Sequence, residues 1–163
     1  DDTVSQQALR NTLQTEKNAM DFYRLAAGHM KDPESKRTFE LLAREEREHA
    51  RWFYQIYKGE EIPDFEAFMA QPQAGQSDWL SDLEKALVGD FNERKAMELA
   101  MGKELKLEKS LRKMASDISD PEVRKVYELN ADSTHNHYIL IESEYARLMG
   151  MVHETDIDTF VRE

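Results

Sequence analysis

Glu16, Asp32, Pro33, Glu34, Glu40, Leu41, Ala43 and His49 return, in the same order and at one constant offset, as Glu104, Asp120, Pro121, Glu122, Glu128, Leu129, Ala131 and His137. Similar residues fill the gaps: Phe39 with Tyr127, Lys36 with Arg124, Arg37 with Lys125, Met30 with Ile118. A repeat of this length is one supersecondary unit used twice, and neither copy can bury its apolar face alone. Each copy runs from a Glu on one long helical pattern, through Asp-Pro-Glu, to a His on the next. Two such helix pairs packed together form a four-helix bundle with carboxylates and imidazoles inside it. The symmetry has one flaw: Thr134 stands where the first copy has Glu46.

Punctuation along the chain supports the same plan. Thr3 is the expected N-cap of the first long helix, whose apolar spacing continues to about Met30. Asp32-Pro33 closes that helix and opens the next, because Asp caps free amides and Pro at the first helical position gives up no needed hydrogen bond. The second helix is predicted from Pro33 to about Lys58, with Gly59 as its stop. Residues 59–77 contain Pro63, Pro72 and Gly75 and read as a long connection with a helical turn around Phe65–Met69. Ser77 is expected to cap a short helix from Asp78 to about Val88, with Trp79 and Leu80 exposed on it as a packing or interface element. Gly89-Asp90 marks a break before a third long helix, about Phe91 to Ile118. After Asp120-Pro121 the fourth runs to about Leu148 and ends at Gly150. Alternation at period two is nowhere sustained, so no strand competes. The expected fold is all-α, with residues 1–150 forming the bundle, the crossover and short helix occupying 59–90, and 151–163 forming a weakly patterned tail. Short turns make the helices of each pair antiparallel neighbours. The long connection between the second and third long helices carries the chain across the bundle, which is the one-crossover topology of ferritin-like folds.

At 163 residues a single domain has room for a substantial core. A formal charge of -11 with no basic patch excludes a nucleic-acid-binding surface. No run of about 18 apolar residues offers a membrane span. The start, "DDTVSQQALR", lacks the pattern of a signal peptide, so a cytoplasmic location is expected. The sequence has no cysteine, which removes disulfides, thiolate zinc sites and iron–sulfur clusters from these residues.

Reading the long helices at a 3–4 spacing gives the seams that should be buried. They are Leu9, Leu13, Glu16, Met20, Tyr23, Ala27, Met30; then Phe39, Leu42, Glu46, His49, Phe53, Ile56; then Met97, Met101, Glu104, Glu108, Leu111, Ala115, Ile118; and last Val123, Tyr127, Asn130, Thr134, His137, Ile141. Each seam is apolar at its ends and polar in its middle. An unpaired buried carboxylate takes up a proton or finds a cation. Four seams interrupted at matching depth therefore imply a shared positive partner, and a pair of divalent ions fits. Glu46 and His49 form Glu-x-x-His, one turn apart on one face, able to serve a common ion. That motif is common by chance; its weight comes from Glu16, Glu104 and His137 at the same depth. A metal-free bundle whose buried Glu and His pair with each other is the rival reading. Glu45 and Glu48 read as outward, solvated charge, and His29, His135 and His153 as surface residues. Tyr23 reads as core within hydrogen-bonding reach of the site, and Met20, Met97 and Met101 as core filling.

Thr134 removes one carboxylate, but the third seam carries an extra one, Glu108, where the first has Met20. In an antiparallel pair, one turn forward from Glu104 is level with one turn back from His137. Glu108 is thus expected to reach the space Thr134 vacates and to serve as a sixth ligand; the competing outcomes are a water or hydroxide in that position, or an impaired second metal site.

The segments "QTEKNAMDFYRLAA", "DPESKRTFELLAREEREH", "KELKLEKSLRKMA" and "DPEVRKVYELNADSTHNH" resemble the rubrerythrin-like branch of the ferritin-like superfamily over roughly residues 5–149. The resemblance implies a di-iron site with Glu16, Glu46 and His49 from one half and Glu104 and His137 from the other. It also implies redox chemistry on hydrogen peroxide or dioxygen, or oxidation of ferrous iron, in a protein that is commonly a homodimer. The rubredoxin domain of full-length rubrerythrins is not in the sequence, so an external electron donor is expected. Carboxylate and imidazole ligands suit manganese or zinc as well as iron. Two alternatives stand beside the redox reading: a non-catalytic metal-binding or iron-handling protein with a degenerate second half-site, and a structural bundle that has lost the chemistry.

Overall fold

The computed structural model describes the backbone of residues 2–72, 78–87 and 92–161, and the side chains of 6–72, 80–85 and 92–150. Six helices follow in order: α1 Asp2–His29, α2 Pro33–Ile56, α3 Phe65–Ala70, α4 Asp78–Leu87, α5 Glu93–Asp117 and α6 Pro121–Val161. No strand occurs among the described residues. The fold is an all-α ferritin-like bundle. α1 packs on α2 and α5 on α6, as the short turns require, and the two hairpins meet where α2 lies against α6. On the other side α4, carried in by the crossover, touches both α1 and α5.

Both Asp-Pro turns work as the sequence suggests. The Asp32 carboxylate accepts from the amide of Ser35 at 2.9 Å, with Pro33 in the first turn of α2. Asp120 accepts from the amide of Glu122 at 2.9 Å. The first turn is anchored further, because Glu93 at the start of α5 accepts from the amides of Lys31 and Asp32. Arg147 on α6 pairs with Asp32 and Glu144, and Ser35 donates to Glu144 at 3.1 Å. One end of the bundle is thereby closed by a polar knot linking α1, α2, α5 and α6.

Several boundaries differ from expectation. Thr3 lies inside α1, so it is not the cap. α2 stops at Ile56, and Gly59 is needed for a different reason: a Cβ there would run into the Tyr57 ring. Asn92 caps α5 by accepting from the amide of Lys95 at 3.2 Å. α6 passes through Gly150 and continues to Val161, where a weakly patterned tail was expected. A single glycine costs a helix only about 1 kcal/mol, and no proline follows to enforce a stop. Leu80 is buried rather than exposed, held with Leu83 in the core. Ser77, Gly75, the Val88–Phe91 break and the side chains of Trp79 and His153 lie outside the described residues.

Leu9, Leu13, Met20, Leu42, Phe53, Met97, Leu111, Tyr127 and Ile141 are all buried, and each fully buried aliphatic or aromatic side chain contributes roughly 1.5–3 kcal/mol. The seams of α1 and α6 are buried at every predicted position, and that of α2 at every one but Ile56. On α5 the seam runs Met97, Ala100, Glu104, Leu107, Leu111 and Ala115, leaving Met101 and Glu108 only partly buried.

Candidate metal centre

Apolar residues at both ends of the bundle hold the helices together and leave a polar layer at mid-height. There α1 supplies Glu16, α2 supplies Glu46 and His49, α5 supplies Glu104 and α6 supplies His137, each no more than 2% exposed. Glu46 is the hub. Its Oε1 accepts from His137 Nδ1 at 2.9 Å, and its Oε2 lies 3.6 Å from His49 Nδ1. Glu16 approaches the same His49 Nδ1 at 3.6 Å, and Glu104 approaches His137 Nδ1 at 3.9 Å. The two imidazoles stack with centroids 5.0 Å apart and planes 6° from parallel. One ligand atom each from Glu46, His49 and His137 lies within 4.8 Å of the others.

Both histidines aim Nδ1 inward and use Nε2 outside. His49 Nε2 bonds Ser133 Oγ at 2.7 Å, and His137 Nε2 bonds Glu45 Oε1 at 2.8 Å. Fixing the outer nitrogen in this way is how proteins orient metal-ligating imidazoles. Tyr23 donates to Glu104 Oε1 at 2.5 Å and fixes that carboxylate, whose Oε2 is buried. Thr12 and Tyr127 form a second buried bond at 2.8 Å.

The electrostatics record the shortage of positive charge. Burial, with repulsion from Glu46 behind it, holds the Glu16 carboxyl well above its usual range. Burial and the same neighbour lift Glu104 to about 8. Burial also opposes charge on Glu46, but the neighbouring Glu16 carboxyl, acting as a hydrogen-bond donor, and then the two imidazoles outweigh it and hold this carboxyl well below the usual range. Burial disfavours the imidazolium of both histidines. Their carboxylate neighbours overcome it, lifting His49 to about 10 and His137 to about 11. Without a cation, then, the layer holds protons that solvent-exposed Glu and His would give up at neutral pH. Even so, both oxygens of Glu16, Oε2 of Glu46, Nδ1 of His49 and Oε2 of Glu104 have no hydrogen-bond partner. Each such orphan costs about 1–3 kcal/mol. These are oxygen and nitrogen donors of the type that iron, manganese and zinc take, converging in one buried layer, so the residues present fit metal ions.

Glu108 does not join them. Its carboxylate turns outward to pair with Arg112 at 2.8 Å and His135 at 2.9 Å. The cause is helical phase: after Glu104 the buried seam steps three residues to Leu107, not four to Glu108. Thr134 and Asn130 stay buried, and Thr134 Oγ1 and Asn130 Oδ1 have no partner. Glu45, expected as solvated charge, is instead the outer partner of His137. The signal for it was available: in an antiparallel pair, the residue one turn before each histidine faces the other histidine across the groove, and those residues are Glu45 and Ser133.

Residues 7–145 match the family model described as Rubrerythrin. No curated protein and no solved structure matches the chain.

Proposed function

Because the chain belongs to the rubrerythrin family, and its buried layer has the donors such a centre needs, we propose that it binds two iron ions and acts as a redox protein on hydrogen peroxide or dioxygen. Glu16, Glu46 and His49 would hold one ion, and Glu104 and His137 the other, with Glu46 shared between them. Bound iron would supply the two electrons that reduction of an O–O bond consumes. The chain's own residues do the rest. Apolar layers of α1, α2, α5 and α6 exclude bulk water above and below the site. Tyr23 fixes one oxygen of Glu104 and orients the other. Thr134 puts a short hydroxyl where the first copy has a carboxylate, and its unpartnered Oγ1 would be available to donate a hydrogen bond within the layer. These residues contain no cysteine, so an external reductant would be needed for repeated turnover. A cytoplasmic homodimer is the setting we propose for it. No helix among the described residues is long and apolar enough to cross a membrane.

The observation that carries this reading is the set of unpartnered inward atoms on Glu16, Glu46, His49 and Glu104. The test is metal analysis of protein purified without chelator, followed by peroxide oxidation of the ferrous form watched by absorption. Two ions per chain and oxidation much faster than that of free ferrous iron are expected. One observation favours a second reading, metal binding or iron handling without efficient turnover: the second half-site lacks its Glu-x-x-His carboxylate at Thr134. Bound iron that oxidises no faster than free iron would select it. Protein that takes up no metal would leave only a structural bundle.

A further inference from the structure

The strap across the α2–α6 groove is not the same on its two sides. His49 and His137 each reach over to the residue one turn before the other, but one finds a hydroxyl and the other a carboxylate. Where the first copy reads Glu45-Glu46, the second reads Ser133-Thr134. The second copy has therefore lost two acids, one inside the site and one on its outer edge. Glu45 has only acceptor oxygens for the 2.8 Å contact, so Nε2 of His137 donates there, while Nδ1, which bonds Glu46 at 2.9 Å, is the nitrogen that faces the interior. An imidazole whose outer N–H is held by a carboxylate is a more basic ligand, and its ring is locked in orientation. His49 has only the neutral Ser133 hydroxyl in that role, at 2.7 Å. The Glu45 side chain is 42% exposed, and its contact at the groove is the one it makes with His137.

We propose that Glu45 is a positioning residue of the centre, making the His137 half the tighter of two unequal ion positions. This rests on the metal-binding reading above and goes beyond it by assigning the inequality to one outer residue. The Thr134 vacancy does not separate the halves: with Glu46 shared, each position keeps one further inner carboxylate, Glu16 or Glu104, and the outer partner of the histidine is what differs.

Cobalt(II) titration of the metal-free chain, read by visible absorption and calorimetry, tests it. Wild type should fill in two resolved steps. Glu45→Gln, which keeps a hydrogen-bond acceptor but removes the charge, should weaken the tighter step about 10–100-fold and spare the weaker one. Glu45→Asp should recover part of the loss, and Ser133→Glu should tighten the weaker step. In zinc-loaded protein, nitrogen-15 NMR of His137 should show the metal on Nδ1 and a slowly exchanging proton on Nε2, with that proton exchanging fast in Glu45→Ala. A Glu45→Gln titration identical to wild type, or equal weakening of both steps, would overturn the inference and leave the metal reading standing. Two equal steps in wild type would overturn it as well. A wild-type chain that takes up no cobalt would overturn the metal reading, and this assignment with it.

Discussion

Each buried titratable group in the polar layer has its ordinary proton affinity changed by its neighbours, and the direction of each change fixes how stability responds to pH. Glu104 is lifted to about 8, His49 to about 10 and His137 to about 11. In the unfolded chain these groups titrate near 4.3 and 6.5. Between the two values the folded, metal-free protein binds more protons than the unfolded one, so these groups stabilise it at low pH and that contribution is lost as pH rises. Glu46, held below its usual range, acts in the opposite sense: its contribution is present at neutral pH and lost in acid. The chelated protein should therefore be most stable near about pH 4–5, with a melting temperature that falls steadily toward about pH 10. Metal ions take the place of the protons, so the loaded protein should show the reverse slope across the acid side, where protons compete for the ligands. Thermal melts in chelator and in metal over this range provide the comparison. A chelated protein whose melting temperature does not change from pH 6 to 9 would contradict the burial and pairing described here.

At the scale of the helix, what could be read from the sequence was whatever periodicity and punctuation control. The four long helices, both Asp-Pro turns, the short helix after the crossover and the burial of Glu16, Glu46, His49, Glu104 and His137 followed from spacing and capping signals. What escaped depends on phase. A carboxylate four residues past Glu104 and an apolar residue three past it are equally acceptable on an isolated helix, and only the packing of α5 against its neighbours selects Leu107 over Glu108. Glu45 was missed for a related reason, since a charged residue beside a buried one reads as solvated until the facing helix is in place. The fourth helix outran its expected end because glycine permits a stop without enforcing one. Two substitutions test this account. Glu108→Ala should leave metal content at the wild-type level and cost less than about 1 kcal/mol, as befits a partly exposed ion pair with Arg112 and His135. Thr134→Glu restores the second Glu-x-x-His and should tighten binding of the ion at Glu104 and His137. In the metal-free protein it adds another buried acid and should cost about 1–3 kcal/mol, visible in urea denaturation. Loss of metal in Glu108→Ala would show that the α5 side chain swings inward on binding.

At the scale of the whole molecule, two hairpins that share a repeated set of residues enclose a layer that apolar packing cannot satisfy. The α1–α2 and α5–α6 pairs are joined by α2 against α6 and by α4 bridging α1 and α5, while the middle of the interface holds carboxylates and imidazoles. Ions bound there draw donors from α1, α2, α5 and α6 at once, so binding is linked to the global folding equilibrium rather than to one hairpin. At a free metal concentration 100 times the dissociation constant, linkage adds about 2.7 kcal/mol. For a chain of this size that corresponds to a rise in melting temperature of roughly 5–10 °C. The net charge of -11 offers a competing explanation, because an acidic surface also attracts divalent cations and any screening raises stability a little. The two are separated by Glu46→Ala, which removes the hub of the buried layer and leaves the acidic surface as it was. Site binding predicts that the metal-induced shift disappears in Glu46→Ala and persists in Glu108→Ala, whereas surface screening predicts the same shift in both. Differential scanning calorimetry of the two variants, with and without metal, at fixed ionic strength, decides between them.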